Sequence, residues 1–427
     1  MDGMRSTFNL MIDVRRHFAC GIGRVSLNFA EAALARRERW NRLILLTNSA
    51  NRNRVEALAG NEAEVLIGDY PFFSRADLYE LPRLIGLAGA DVFVAPQFYI
   101  SPLIDCPTVK MVHDLWPIRY DHWLPTTAEL TGHFGPEATE GVADFLRWFE
   151  RNQNDLPSWH NDHLRELYES DDNLVRRYMI AMFCASIDTA ASIPTCSWFS
   201  RNEIVHLFPL AEPRIDVIYP FMQPREAPPK SRRFAFLHVG KFEPRKNHGL
   251  VVEAFMRAYD RLSTEDREEA SLTLIGDVSY RQHGRKIVEM VRDAARDYPI
   301  HFLGVTSETK LWQHYAEAYA LVFPSAFEGF GIPIVEAMSA GTPVITANRG
   351  GTREAAGGAA LLVDELEPEP LAEAMLALWQ DHALYQDLRE RGRRHAAAFT
   401  RMRTCTQFEI AIDRAVPFFR EITLPSQ

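Results

Sequence analysis

Apolar residues in the first part of this chain come in short, almost continuous runs of strand length: "FNLMIDV" (Phe8–Val14), "RLILLTN" (Arg42–Asn48), "DVFVAPQ" (Asp91–Gln97) and "TVKMVHD" (Thr108–Asp114). Stretches of helical spacing separate them, the first from about Val25 to Arg39. Strands without polar alternation are covered on both faces, which is the pattern of a parallel sheet between helices. Over residues 126–177 the pattern becomes polar, aromatic and partly helical, and reads as an insertion. "TAASIPTCSWFSRNEI" (Thr189–Ile204) then gives a strand and a helix start, and "RIDVIYP" (Arg214–Pro220) another strand. "FMQPREAPPKSRR" (Phe221–Arg233), rich in proline and charge, reads as a linker. A second alternating series follows, with strands "FAFLHVG", "SLTLIG", "IHFLG", "ALVFPS", "TPVITA" and "AALLVD".

The fold class expected from this pattern is α/β, with two Rossmann-like domains. The expected boundaries are 1–221 for the first domain, 222–233 for the linker and 234–400 for the second domain. Residues 401–427 form a tail able to cross back to the first domain.

Composition narrows the function. A formal net charge of −10 over 427 residues argues against a nucleic-acid partner. The five cysteines are scattered, with no C-x-x-C pair, and read as free thiols of a reducing compartment. No run of about 18 apolar residues is present to span a membrane, and the start lacks the apolar core of a secretory signal. A cytoplasmic protein is expected.

Ligands of open parallel sheets bind beyond the carboxyl ends of the strands, and the chemistry-bearing residues stand there. In "SAFEGFGIPIVEAMSAGTPV" (Ser325–Val344), Gly329 and Gly331 permit close backbone approach at the start of a helix near Ile332. Helix N-termini favour anions such as phosphate. Glu328 in the loop and Glu336, placed in the first turn, flank that cradle, and carboxylates accept hydrogen bonds from sugar hydroxyls. A ribose, a diphosphate and a sugar have that layout; the plainer alternative is a dipole-complementing Glu336 and a solvated Glu328. In "HVGKFEPRKN", Arg245 and Lys246 follow a strand and suit a diphosphate. Gly21 and Gly23 in "HFACGIGR" suit a loop, but Ser26 replaces the third glycine of a dinucleotide fingerprint, and no acid follows the second strand, which disfavours a nicotinamide enzyme. His113 closes a strand and suits a general base or a partner of a substrate hydroxyl. His160 and His163 lack a ligand cluster and no D-x-D is present, so no metal site is expected.

With "FEGFGIPIVEAMSAGTPVITANRGGTREAAGGAALLVD", "VGKFEPRKN", "ACGIGR" and "VHDLWP" in view, the chain resembles glycosyltransferase family 4, the retaining enzymes of GT-B fold. It is most similar to the branch holding bacterial polysaccharide mannosyltransferases. The resemblance implies two Rossmann-like domains facing each other across a cleft. It implies that Glu328 contacts hydroxyls of the transferred sugar, Glu336 the ribose, and the Phe330–Gly331 backbone the sugar phosphate. Arg245 and Lys246 would hold the diphosphate, His113 would lie at the reaction centre, and Gly21 and Gly23 would border the diphosphate. Backbone near "LGVTS", Val305 included, would select the base.

The implied activity is hexosyl transfer from a nucleotide diphosphate sugar, GDP-mannose or a UDP-hexose, to an acceptor hydroxyl, in polysaccharide or glycoconjugate biosynthesis. Neither metal nor cofactor is expected. The acceptor is a sugar, a lipid-linked sugar or a small molecule. Competing readings are a nucleotide-sugar epimerase and a catalytically silent nucleotide-sugar-binding protein. Two further expectations concern the first domain. Arg36, Arg37 and Arg39 beside Trp40 would make a basic surface for peripheral contact with the inner face of a membrane. Phe145, Trp148, Phe149 and Trp159 of the insertion could stack on acceptor sugars or pack a core. Deleting Gly135–Asp172 should then abolish transfer and spare donor binding.

Overall fold

The computed structural model describes residues 8–16, 21–222, 234–278 and 281–423. The chain divides into two compact units, Met1–Phe221 with Arg401–Gln427, and Met222–Thr400. Within the expected linker, residues 223–233 lie outside the described residues.

The first unit is built on a five-stranded sheet of β1 (Phe8–Asp13), β2 (Trp40–Thr47), β3 (Glu64–Ile67), β4 (Val92–Ala95) and β5 (Thr108–Lys110). The order is β3-β2-β1-β4-β5 and every pairing is parallel. Leu10, Met11 and Ile12 of the central strand are wholly inaccessible, as an unbroken apolar run requires when helices cover both faces. A two-stranded parallel sheet, β6 (Ile193–Thr195) with β7 (Ile215–Val217), continues from β5 through the Lys110 N–H to Ser192 carbonyl bond of 3.0 Å. Strand β3 escapes the sequence reading because it lies at an edge, only partly buried, and carries Glu64 in place of a continuous apolar run.

The insertion is helical: Thr127–Phe134, Pro136–Asn152 and Asp162–Glu169 precede a long buried helix, Leu174–Thr189. Thr126 and Glu129 form a reciprocal capping box at the first helix, and Gly135, at φ 87°, breaks it from the second. Phe145, Phe149 and Trp159 are buried, with Trp148 packed partly against them, in one core with Tyr168, Tyr178 and Phe183. Gly141 lets the second helix rest on the backbone at Phe73, where a Cβ would stand 1.9 Å from the Phe73 carbonyl oxygen. Phe145, Phe149 and Trp159 therefore pack the interior and do not face a sugar. The Gly135–Asp172 deletion would strip a core and cannot separate acceptor from donor binding.

The last helix, Arg401–Thr423, belongs to the first unit. It buries Phe408, Ala411, Ile412 and Ala415 completely, with the Phe408 ring 5.0 Å from Phe29. Its acids also take up the arginines offered above to a membrane. Arg36 pairs with Glu409 at 2.5 Å, and Arg39 with Glu409 at 3.2 Å and Asp413 at 2.5 Å. Arg37 donates to the carbonyls of Glu62 and Trp40, while Trp40 is buried with its indole N–H on the Ala33 carbonyl. Ion-paired arginines around a buried tryptophan do not form the basic, aromatic face that peripheral binding needs, and this corrects the reading of that stripe.

The second unit is a six-stranded parallel sheet of β8 (Ala235–Val239), β9 (Ser271–Ile275), β10 (Ile300–Phe302), β11 (Ala320–Phe323), β12 (Val344–Ala347) and β13 (Leu361–Val363), in the order β10-β9-β8-β11-β12-β13. In both sheets the strand order reverses beside the first strand of the unit. That places a crevice after β1 and β4 in one unit and after β8 and β11 in the other, the positions where doubly wound sheets take ligands. Among the described residues no helix is long and apolar enough to cross a membrane.

Candidate active site

In the second unit the two segments that leave the sheet at this reversal are tied together. After β8, Pro244–Lys246 form a short 3-10 turn, and Asn247 takes a left-handed conformation (φ 57°) before the helix His248–Asp260. Asparagine tolerates that conformation better than other L side chains, and its Nδ2 donates to the Pro324 carbonyl at 2.8 Å. The Ala326 N–H donates to the Arg245 carbonyl (2.8 Å), and Arg245 Nη1 donates to the Phe327 carbonyl (2.9 Å). The loop carrying Glu328 and the turn carrying Arg245 and Lys246 are thus one construction.

Glu328 sits at its centre, with only 8% of its surface exposed. It pairs with Lys246 through Oε1 and with Arg245 through Oε2 (2.8 Å), and it accepts the Ser325 hydroxyl at 2.6 Å. Burial by itself would raise its pKa; Arg245 and Lys246 outweigh that and hold the carboxyl down at about 2. Lys246 is shifted downward by burial and by Arg245, against the pull of Glu328. Glu243 completes the group, accepting from Arg245 at 2.9 Å and lying 3.6 Å from Lys241. Three cations surround two carboxylates, so the cluster keeps a net positive charge. A Glu328 so tightly paired is a weak base and a weak nucleophile. It is suited to fixing cations and accepting hydroxyl protons in hydrogen bonds.

The helix that follows, Ile332–Ser339, has Gly331 as its N-cap at φ 114°, a conformation that favours glycine, and Pro333 in its first turn. Phe330 turns its ring inward, 5.5 Å from Phe399, so its backbone is what it offers to a ligand. Gly329 owes its position to Gly351, whose N–H reaches the Glu328 carbonyl at 3.2 Å. A Cβ on Gly351 would lie 2.4 Å from the Gly329 oxygen and 2.5 Å from the Glu328 oxygen. Backbone cannot swing away as a side chain can, so Gly351→Ala is expected to push the Glu328–Gly331 loop out of register. Overpacking of this kind costs about 1–3 kcal/mol. Thermal unfolding together with nucleotide titration measures both effects; an unchanged melting midpoint and unchanged binding would show that the loop yields freely.

Glu336 departs from its expected position: it is the fifth residue of the helix, in the second turn. It is nearly buried, and its Oε2 accepts the hydroxyl of Tyr315, itself buried on helix Glu308–Glu317, at 2.8 Å. It is therefore an oriented hydrogen-bond acceptor and not a charge neutralising the first-turn amides. Val305 is exposed on the loop after the edge strand β10, two strands away from β8.

In the first unit, Gly21 and Gly23 lie inside the first turn of helix Gly21–Leu34, which starts four residues before the expected Val25; they are not in a loop. Gly21 is exposed and Gly23 buried, while residues 17–20 of the motif lie outside the described residues. His113 follows β5, with Nε2 2.7 Å from the Pro96 carbonyl. Desolvation pushes its pKa down to about 4, so the ring is neutral at pH 7. A carbonyl only accepts, so the proton resides on Nε2 and Nδ1 is the acceptor. The His113 carbonyl receives Ser200 Oγ (2.8 Å) and Cys196 Sγ (3.2 Å), which fixes the backbone at this turn. The predicted residues thus fall into two groups: Arg245, Lys246, Glu328, Gly329, Phe330, Gly331 and Glu336 in the second unit, and Gly21, Gly23 and His113 in the first.

Residues 222–395 match the family model of glycosyl transferases group 1. The chain is 32% identical over 245 residues to O-antigen chain mannosyltransferase B of Escherichia coli, covering 54% of this chain and 62% of that protein. It is 28% identical over 186 residues to O-antigen chain mannosyltransferase RfbU of Salmonella typhimurium, covering 43% and 50% respectively. The chain thus spans about half to three-fifths of the length of these relatives. The crystal structure of Anabaena HepE in complex with UDP-glucose superimposes with a TM-score of 0.65 at 15% identity, over 95% of this chain and 99% of that one. WaaG, a glycosyltransferase involved in lipopolysaccharide biosynthesis, gives 0.60 at 16% identity, over 95% and 98%. The fold is GT-B; residues 222–395, within the second unit, match glycosyl transferases group 1, and the chain is similar to mannosyltransferases, in line with the resemblance to family 4.

Proposed function

We propose that the protein is a retaining hexosyltransferase that moves a sugar from a nucleotide diphosphate donor to an acceptor hydroxyl. The observation that carries this reading is the buried Glu328–Arg245–Lys246 cluster beside the Gly331 helix start. A diphosphate suits the surplus positive charge and the helix N-terminus, and Glu336 suits the two ribose hydroxyls. On transfer, the bond from the anomeric carbon to the diphosphate oxygen breaks with its electron pair on that oxygen, where Arg245 and Lys246 meet the growing charge. The acceptor oxygen forms the new bond on the same face, and its proton passes to the departing diphosphate. Glu328, held by two cations, does not serve as the attacking group in this scheme, and the two fixed cations take the place of a divalent ion.

The relatives named mannosyltransferases support GDP-mannose as donor and glycan assembly as the setting. His113, neutral with Nδ1 as acceptor, suits a hydroxyl of the transferred sugar. The test is a binding screen of GDP-, UDP-, ADP- and dTDP-sugars, followed by transfer assays in EDTA. Glu336→Ala is expected to weaken donor binding by roughly 10- to 100-fold, the loss of about 1.5–3 kcal/mol for a hydrogen bond to a charged group. Equal affinity of wild type and variant by calorimetry would remove Glu336 from the donor site.

A further inference from the structure

We propose that Arg16 is a substrate-binding residue of the first unit, presenting the terminal edge of its guanidinium as a fork for a substrate oxyanion beside His113. It lies at the end of β1, and β1 and β4 flank the reversal of strand order in this unit. Its Nε donates to Gln97 Oε1 at 2.6 Å, from the segment after β4. Its guanidinium carbon lies 3.7 Å from the centre of the Phe72 ring and 4.6 Å from that of Tyr99. These contacts hold the group in place, and the hydrogen bond among them uses Nε, not Nη1 or Nη2. His113 meets the same segment, with its Nε2 2.7 Å from the carbonyl of Pro96, the residue before Gln97.

The neighbouring arginine shows what a structural role looks like here. Arg15 is buried, chelates Asp13 through two nitrogens at 3.0 and 2.9 Å, and reaches Asp77 at 2.9 Å. Both carboxylates of this pocket are therefore occupied. Among the described residues, Arg16 has a hydrogen bond only through Nε, and no carboxylate pairs with it. An arginine already held by stacking and one hydrogen bond has lost its rotamer freedom before the ligand arrives, which is preorganisation. Two parallel N–H donors match a carboxylate or a phosphate, a geometry that lysine does not offer.

The inference rests on the transferase reading only for its two sources of oxyanion, the acceptor and the donor diphosphate. Calorimetry distinguishes them. The full chain is titrated first with the nucleoside diphosphate found in the screen, then, saturated with it, with inorganic phosphate. Arg16→Ala is expected to weaken the phosphate step at least about tenfold and leave the nucleotide step unchanged, which assigns the fork to the acceptor. A tenfold loss in the nucleotide step supports the fork and assigns it to the donor. No change in either step overturns the proposal. So does full retention of affinity by Arg16→Lys, which keeps the charge without the fork and is the second variant should Arg16→Ala unfold. Guanidinium ion is expected to restore phosphate binding to Arg16→Ala, a readout that a purely structural role would not give. If the wild type binds no nucleotide, the transferase reading fails, and the phosphate titration alone still tests Arg16.

Discussion

Lys246→Ala is expected to lower kcat by about 100- to 1,000-fold, the effect of removing one preorganised donor from a developing oxyanion, while KM for the donor changes only a few-fold. The difference follows from when the charge appears. In the proposed function a bound diphosphate sugar is already anionic, and Arg245 and the amides near Gly331 would remain to hold it. As the glycosidic bond breaks, a further unit of charge collects on the departing oxygen, and an ammonium in a water-poor site interacts with it most strongly at that moment. The surroundings of Lys246 fit that expectation: it is 8% exposed, anchored to Glu328 and stationed 5.0 Å from the centre of the Phe323 ring. Burial and Arg245 lower its pKa, and Glu328 opposes that shift. Steady-state kinetics read the split directly, and a rise in KM alone would mean that Lys246 binds ground and transition states equally.

Much of this site is legible in the amino-acid sequence because its parts follow strands. The apolar runs at Ala320–Phe323 and Ala235–Val239 mark the sheet, and glycine, proline and charge after each run mark the ligand end. Pairing between distant segments is not legible there. Nothing in "EPRKN" says that Arg245 will grip the Phe327 carbonyl, or that Glu243 will share in its charge. Tyr315 is a helix residue of ordinary spacing until its hydroxyl is found on Glu336. Arg16 does not stand out because two adjacent arginines look alike in sequence, and only the geometry separates the one that holds Asp13 and Asp77 from the one held through Nε by Gln97. The aromatic insertion shows the opposite limit. Phe145, Phe149 and Trp159 suit a sugar platform and a core equally by residue type, and burial decides for the core.

Glu328→Gln is expected to cost about 3–5 kcal/mol of folding stability, because removing one partner of a buried ion pair strands the other. Two cations are affected. Arg245 retains Glu243 at 2.8 Å, whereas the ion pair of Lys246 is with Glu328. The pH dependence gives the claim a sign. The carboxyl has its pKa lowered from 4.5 to about 2 on folding. Its contribution is therefore present in full above about pH 4.5 and disappears as pH falls toward 2, so the unfolding free energies of wild type and variant should converge over that window. A gap that persists at low pH would mean that packing of the side chain, and not its charge, supports the loop. Stability and catalysis can then be separated by adding Lys246→Met. Replacing a whole buried pair by neutral groups is often close to neutral for folding, so the double variant should be more stable than Glu328→Gln alone. Under the proposed function it should remain inactive, since the cation that would meet the departing diphosphate does not return. Recovery of activity along with stability would show that this pair only supports the fold, and would move the chemistry elsewhere in the chain.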